Sequence, residues 1–209
     1  MKRFLILTTV CCPLTAPAAL TFSETWVVSS LIPDNDPVGY SDTRTITTDI
    51  AVISDVSVDL VFTGGWNGDL YAYLVHDSGF SVLLNRVGLS LGVPDGSSGA
   101  GMTLALNDAA AEDVHLAAPL VGTFSGTFQP DGRQMDPSLV LDTDPRTAML
   151  SSFVNLDGNG DWTLFVADVS PGSTSTLQSW SLNLTGVIPE PGVALLLAGG
   201  LPLLLRRWR

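Results

Sequence analysis

The chain has 209 residues, 45% of them hydrophobic and only 14% charged, with nine Lys+Arg against 21 Asp+Glu and a net charge of −12. That acidity repels nucleic acid and anionic lipid, which rules out a polyanion-binding role. With two cysteines, two histidines and no H-x-x-x-H pair, the sequence offers no zinc ligand set.

The N-terminus opens with Lys2 and Arg3, an apolar run from Phe4 to Leu14, and Ala16-Pro17-Ala18. A short basic region, a stretch too brief to span a bilayer and a small-x-small site predict a secretory signal peptide over residues 1–18. Cleavage is expected after Ala18. Pro13 and Pro17 argue against the alternative of a buried helix. Cys11 and Cys12 both lie inside the signal, so the mature chain has no thiol, no disulfide and no cysteine nucleophile. Thr9-Val10-Cys11 is a poor lipoprotein match.

From residue 19 to residue 188 the dominant pattern is alternation with period two, the mark of half-buried strands. Val56, Val58, Leu60 and Phe62 form one such face, and Leu70, Ala72 and Leu74 a second. Trp162, Leu164 and Val166 form a third, and Trp180, Leu182 and Leu184 a fourth, with both tryptophans assigned to the core. Turn clusters separate them: Gly64 to Gly68, Asp77-Ser78-Gly79, and the loop from Gly92 to Gly101. One helical turn is predicted over Asn107 to Val114, where Asn107 or Asp108 could cap Ala109 to Glu112. Short strands with frequent glycine turns point to a single all-β domain, a β-sandwich or jelly roll. Tyr71 and Tyr73 fall on the face opposite Leu70 and Leu74. With Trp66 they offer either a stacking platform for sugar rings or plain second-face packing.

No catalytic constellation emerges. His76 and His115 lie outside any nucleophile-elbow context and read as surface or strand-end residues. Asp157, Asn159, Asp161 and Asp168 occupy the first, third, fifth and twelfth positions of an EF-hand-like loop. Trp162 stands where that loop needs glycine, and strands flank it where helices are required, so the segment reads as a β-turn feeding a strand.

The C-terminus reads Pro189-Glu190-Pro191, an uncharged run from Gly192 to Leu205, then Arg206, Arg207, Trp208 and Arg209. As a helix, Gly192 to Leu205 would be about 21 Å long against a hydrocarbon core of ~30 Å, with Pro202 introducing a kink. The basic end suits the cytoplasmic side. Residues 189–209 resemble the PEP-CTERM sorting tail of Gram-negative bacteria: motif, short apolar run, arginine cluster, chain end. The resemblance implies export, an inner-membrane anchor before processing near Pro189-Glu190-Pro191 by exosortase-type machinery, and delivery to the envelope or an extracellular polysaccharide matrix. Lys2, Arg3, the three terminal arginines and Glu190 belong to the two ends. That leaves four basic against twenty acidic residues between them, near −16, with no lysine.

The middle carries a second resemblance. Gly68-Asp69-Leu70, then "LVHDSG" (74–79), "VLLNRVG" (82–88), "LNDAA" (106–110), "GTFQPDG" (126–132) and the closing "GDWTLFVADVSPGSTSTLQSWSLNL" occur in the order seen in the P domain of proprotein convertases. The likeness runs from about Ser23 to Gly186, with Asn107 and His76-Asp77 departing from the usual residues. It implies a jelly-roll-like, non-catalytic module, and it makes the loop carboxylates Asp69 and Asp108 candidates for calcium, the one cofactor in view. The alternative is that both accept backbone N–H bonds in turns. The expected function is an exported structural or binding module whose partners are the sorting machinery, an extracellular polysaccharide or another exported protein. The rival readings are a calcium-dependent carbohydrate- or protein-binding module and, more distantly, a hydrolase with an unrecognised acidic pair.

Overall fold

The computed structural model describes residues 19–188. The expected signal peptide and sorting tail, with their processing and anchor residues, lie outside these residues. Among the described residues no helix is long and apolar enough to cross a membrane.

Nine strands make up the domain: β1 (Leu20–Leu31), β2 (Asp36–Ile46), β3 (Val52–Gly64), β4 (Leu70–His76), β5 (Gly79–Asn85), β6 (Met102–Asn107), β7 (Phe124–Phe128), β8 (Gly160–Asp168) and β9 (Ser175–Val187). They form a five-stranded sheet in the order β1-β9-β3-β6-β7 and a four-stranded sheet in the order β2-β8-β4-β5. Neighbours run antiparallel except β6 and β7, which are parallel. The apolar faces of both sheets meet in one core, the arrangement of a β-sandwich.

Alternation decides which residues enter that core. Val56, Val58, Leu60 and Phe62 of β3 face Leu70, Ala72 and Leu74 of β4, with Trp162, Leu164 and Val166 of β8 beside them. Trp162 and Trp180 are fully buried, as their alternation predicts. Each indole N–H finds an acceptor, Gly158 O at 3.2 Å for Trp162 and Asp42 Oδ2 at 2.7 Å for Trp180, so neither ring carries an unmet donor into the interior.

The helical turn lies elsewhere than predicted. Asn107 ends β6, and its side chain accepts from Ala109 N at 2.7 Å while its carbonyl accepts from Ala110 N at 3.1 Å. That local turn outcompetes the helix propensity of the three alanines. The helix is the single turn Val114–Ala117, capped by Asp113, whose carboxylate accepts from His115 N at 2.9 Å.

Candidate functional site

Strand register gathers the most unusual chemistry at one end of the sandwich. Gly64 pairs with Ser175 and Leu70 with Asp168, so the turn of residues 64–70, the end of β8 and the start of β9 converge there. A short 3-10 helix, Asn67–Asp69, fills the turn. It is held by Asn67 N to Gly99 O and Gly68 N to Ser97 O, both 2.8 Å, and by Arg86 Nε donating to Gly68 O at 3.0 Å.

Asp69 and Asp168 are both buried here. Asp168 accepts one bond, from Ser170 N at 3.3 Å, while its other oxygen has no partner. Asn67 Oδ1 and Ser175 Oγ, at the same end, are also buried without partners. Burial, reinforced by the Asp168 charge, pushes Asp69 up to about 6 from its ordinary 3.8, against the pull of Arg86. Burial raises Asp168 as well. Two buried carboxylates and idle amide and hydroxyl oxygens are the donors a hard divalent cation takes. An orphaned, fully buried carboxylate oxygen is otherwise costly. This donor set therefore fits calcium, with Asp69 and Asp168 as its charged members. Among the described residues no group of three or more carboxylates, imidazoles or thiols converges on one point, so neutral oxygens or water would complete the shell.

Asp108 is not part of this end. Asn107, one residue before it, pairs with Ser57, and Gly64 lies seven residues further along β3. At ~3.3 Å per residue that is roughly 23 Å, far beyond a shared ion. Both Asp108 oxygens are already used, by Leu150 N at 3.1 Å and Ser151 N at 2.7 Å, where they cap the 3-10 helix Leu150–Phe153. The turn-stabilising alternative describes Asp108, while Asp69 lies beside Asp168 at the other end.

The EF-hand-like spacing also dissolves. Asp161 and Asp168 bracket β8, about 23 Å apart at strand rise. Asp157 Oδ1 accepts from Asn159 N at 2.9 Å, and Asp161 Oδ1 accepts from Thr45 Oγ1 at 2.6 Å, as a turn feeding a strand would have it.

Both histidines are buried: His76 ends β4, as the strand-end alternative has it, while His115 lies in the single helical turn and fits neither the surface nor the strand-end reading. His76 lies flat on Trp162, with ring centroids 4.0 Å apart and 3° between planes. Its ring nitrogens meet Asp161 O at 3.0 Å and Asp157 O at 2.7 Å. His115 Nδ1 donates to Asp131 Oδ2 at 2.8 Å, and Nε2 to Leu89 O at 2.8 Å. Arg133 spans the same cluster: Nη2 reaches Asp113 Oδ2 at 2.8 Å and Nη1 reaches Asp131 Oδ1 at 3.3 Å. Burial alone would lower the His115 pKa, but the Asp131 carboxylate and the Leu89 carbonyl outweigh it and hold the value above 6.5. With Arg146 Nε also 3.6 Å from Asp113 Oδ2, two carboxylates stand among two guanidiniums and one imidazolium. A histidine with both nitrogens donating to buried acceptors has no lone pair for a nucleophile's proton. The dyad is a clamp that ties residues 113–115 to 131–133.

Against this geometry stand the comparisons with known proteins. The family model of the proprotein convertase P-domain matches residues 100–184, the stretch from just before β6 to near the end of β9. Two solved structures resemble the chain at 18% identity: the Aeromonas sobria serine protease in complex with the chaperone, TM-score 0.47, and the same protease described by itself, TM-score 0.46. Each alignment covers 82% of this chain but only 27% and 28% of the respective protease chain, so this chain spans less than a third of their length. No curated protein matches the chain.

Proposed function

We propose that the protein is an exported, non-catalytic P-domain-type module, sorted by its PEP-CTERM-like tail to the cell envelope or an extracellular polysaccharide matrix, where it acts as a structural or binding component. The observation that carries this reading is the P-domain family match over residues 100–184, which includes the Trp162 and Trp180 strands and the buried His115–Asp131 clamp. The two terminal segments supply the export and sorting part. Intact-mass analysis of the native protein from envelope and medium tests it. The expected species begins at Ala19 or close to it and ends near Pro189, and it turns over neither peptide nor glycan panels. Recovery only from the cytoplasm, or turnover abolished by an Asp→Asn change, would overturn the reading.

A second reading is favoured by the unpartnered Asp168 oxygen: calcium bound at Asp69 and Asp168 rigidifies the acidic end of the module. Bound calcium would neutralise the two carboxylates and join β8 to the turn of residues 64–70. At a hundredfold excess over Kd, a ligand specific for the folded state adds about 3 kcal/mol, which raises Tm by about 5 °C or more. Calorimetry with calcium and then with chelator should show that rise in the native protein and in Asp108→Asn, and none in Asp168→Asn. An unchanged Tm in the native protein at millimolar calcium would sink this reading.

A further inference from the structure

The outer face of the four-stranded sheet is not uniformly polar. Alternation turns Tyr71 and Tyr73 of β4 and Phe165 of β8 outward, while their neighbours Ala72, Leu74, Leu164 and Val166 fill the core. Tyr73 stands opposite Phe165 in register, and the rings stack 4.6 Å apart at 17°. Tyr71 meets both edge-on, at 5.8 Å and 6.4 Å between centroids. These three rings floor a cleft of about 530 Å³, walled by Pro37 on one side and by Asp136 and Pro137 on the other. Gly39, at φ +60°, keeps the first wall low: a Cβ there would run into the Val166 carbonyl and the Phe165 ring. The second wall is tied to the sheet by Asn85 Nδ2, which donates to Arg133 O and Met135 O at 3.0 Å each.

The polar chemistry of the cleft has one sign. Asp136 Oδ1 accepts from Ser138 N at 2.8 Å and Ser138 Oγ at 2.7 Å, which fixes the carboxylate at the rim and leaves its second oxygen free. The same two bonds hold its pKa below the usual range, so it is ionised throughout the neutral region. Over residues 19–188 the chain carries twenty acidic residues, Asp136 among them, and four arginines, each engaged internally. Arg44 pairs with Asp42, Arg86 with the Gly68 carbonyl, Arg133 with Asp113 and Asp131, and Arg146 with Gln129. An anionic ligand therefore meets only repulsion, and a cation meets attraction from the whole surface. A flat sugar ring needs an open aromatic face, but Tyr73 and Phe165 turn their faces to each other. A guanidinium or ammonium group needs the face of only one ring, and Tyr71, inclined 60° and 65° to the other two and stacked on neither, lines the cleft together with the Asp136 carboxylate.

We propose that this cleft binds an arginine or lysine side chain presented by a segment of a partner protein, with the cation over the Tyr71 ring and paired to Asp136. The inference goes beyond the module reading above and is independent of the calcium site. The test is titration calorimetry of the full chain with capped hexa-arginine, with capped hexa-citrulline of the same shape and no charge, and with cellohexaose. Hexa-arginine should bind about tenfold more tightly than hexa-citrulline, the size expected of one desolvated cation–π and carboxylate contact. Tyr71→Ser and Asp136→Asn should each weaken it by about fivefold or more. Asp77→Asn, which removes the same charge from the β4–β5 turn at the far end of the hairpin, should change it by less than about twofold. Asp136 is exposed, so its variant keeps the fold even if the Tyr71 variant does not. Equal losses in Asp136→Asn and Asp77→Asn would show diffuse charge attraction and overturn the proposal. So would cellohexaose binding that Tyr71→Ser abolishes, or no heat with hexa-arginine at all.

Discussion

Asp69 and His115 make opposite charges but push stability in the same direction with pH. Asp69 titrates near 6 in the fold against 3.8 when free, so the folded state holds more protons between those values. Its contribution is full below 3.8 and is lost as pH rises through about 6, a swing that solvent screening holds below ~3 kcal/mol. His115 is raised above 6.5, so its contribution is full below that value and fades as pH climbs through the higher folded one. The metal-free protein should therefore lose stability from pH 4 to 6.5 and again above 6.5. Chemical denaturation across that range should show Asp69→Asn flattening the lower step and melting higher than the native chain at pH 7.5. In His115→Gln the upper step should vanish, at the cost of a buried Asp131 left with one cation fewer, on the order of 3 kcal/mol. Stability that rose steadily with pH in the metal-free protein would mean that Asp69 is not buried in this way.

At the scale of elements, Asp108 shows how a carboxylate that resembles a ligand can be a brace. It caps Leu150–Phe153, and Phe153 packs on Trp162 with ring centroids 5.0 Å apart. Asp108→Ala should cost about 1–2 kcal/mol in denaturant unfolding through the two orphaned N–H groups, with no change in any response to calcium. A lost calcium response would return Asp108 to the metal site. The strands that announced themselves, β3, β4, β8 and β9, are those buried on one face along most of their length, where alternation is enforced. β1 and β2 stayed silent because they are edge strands whose positions alternate between half-buried and exposed, with Ile46 alone fully buried, so they show no run of core residues. The site was half legible for a related reason. Asp69 sits in a glycine-rich turn visible locally, but Asp168 joins it only through the pairing of β4 with β8, nearly a hundred residues apart in sequence. The His115–Asp131 clamp had no signal at all, since neither residue belongs to a periodic segment that would aim one at the other.

For the molecule as a whole, the question is where along β9 the fold ends. The last ladder pairs of β9 are Gly186 with Leu20 and Ile53, and Val187 with Val52. Gly186 lies so close to the Val52 carbonyl and the Ile50 side chain that a Cβ would not fit, which marks it as integral to the sheet. Leu184 is the last core side chain of β9, and Ile188 is already half exposed. Deleting the chain from Pro189 onward removes no residue of the described core. The truncated protein should therefore melt within about 2 °C of the full chain, the range of changes that touch no core, cap or network. Because Trp208 is lost with the tail, the informative measurement is hydrogen exchange rather than fluorescence: β9 amides through Gly186 should keep their protection while the protein appears in soluble form. Loss of protection in β9 and β1 together, or aggregation of the truncated chain, would show that residues beyond 188 are part of the fold rather than a signal read by other machinery.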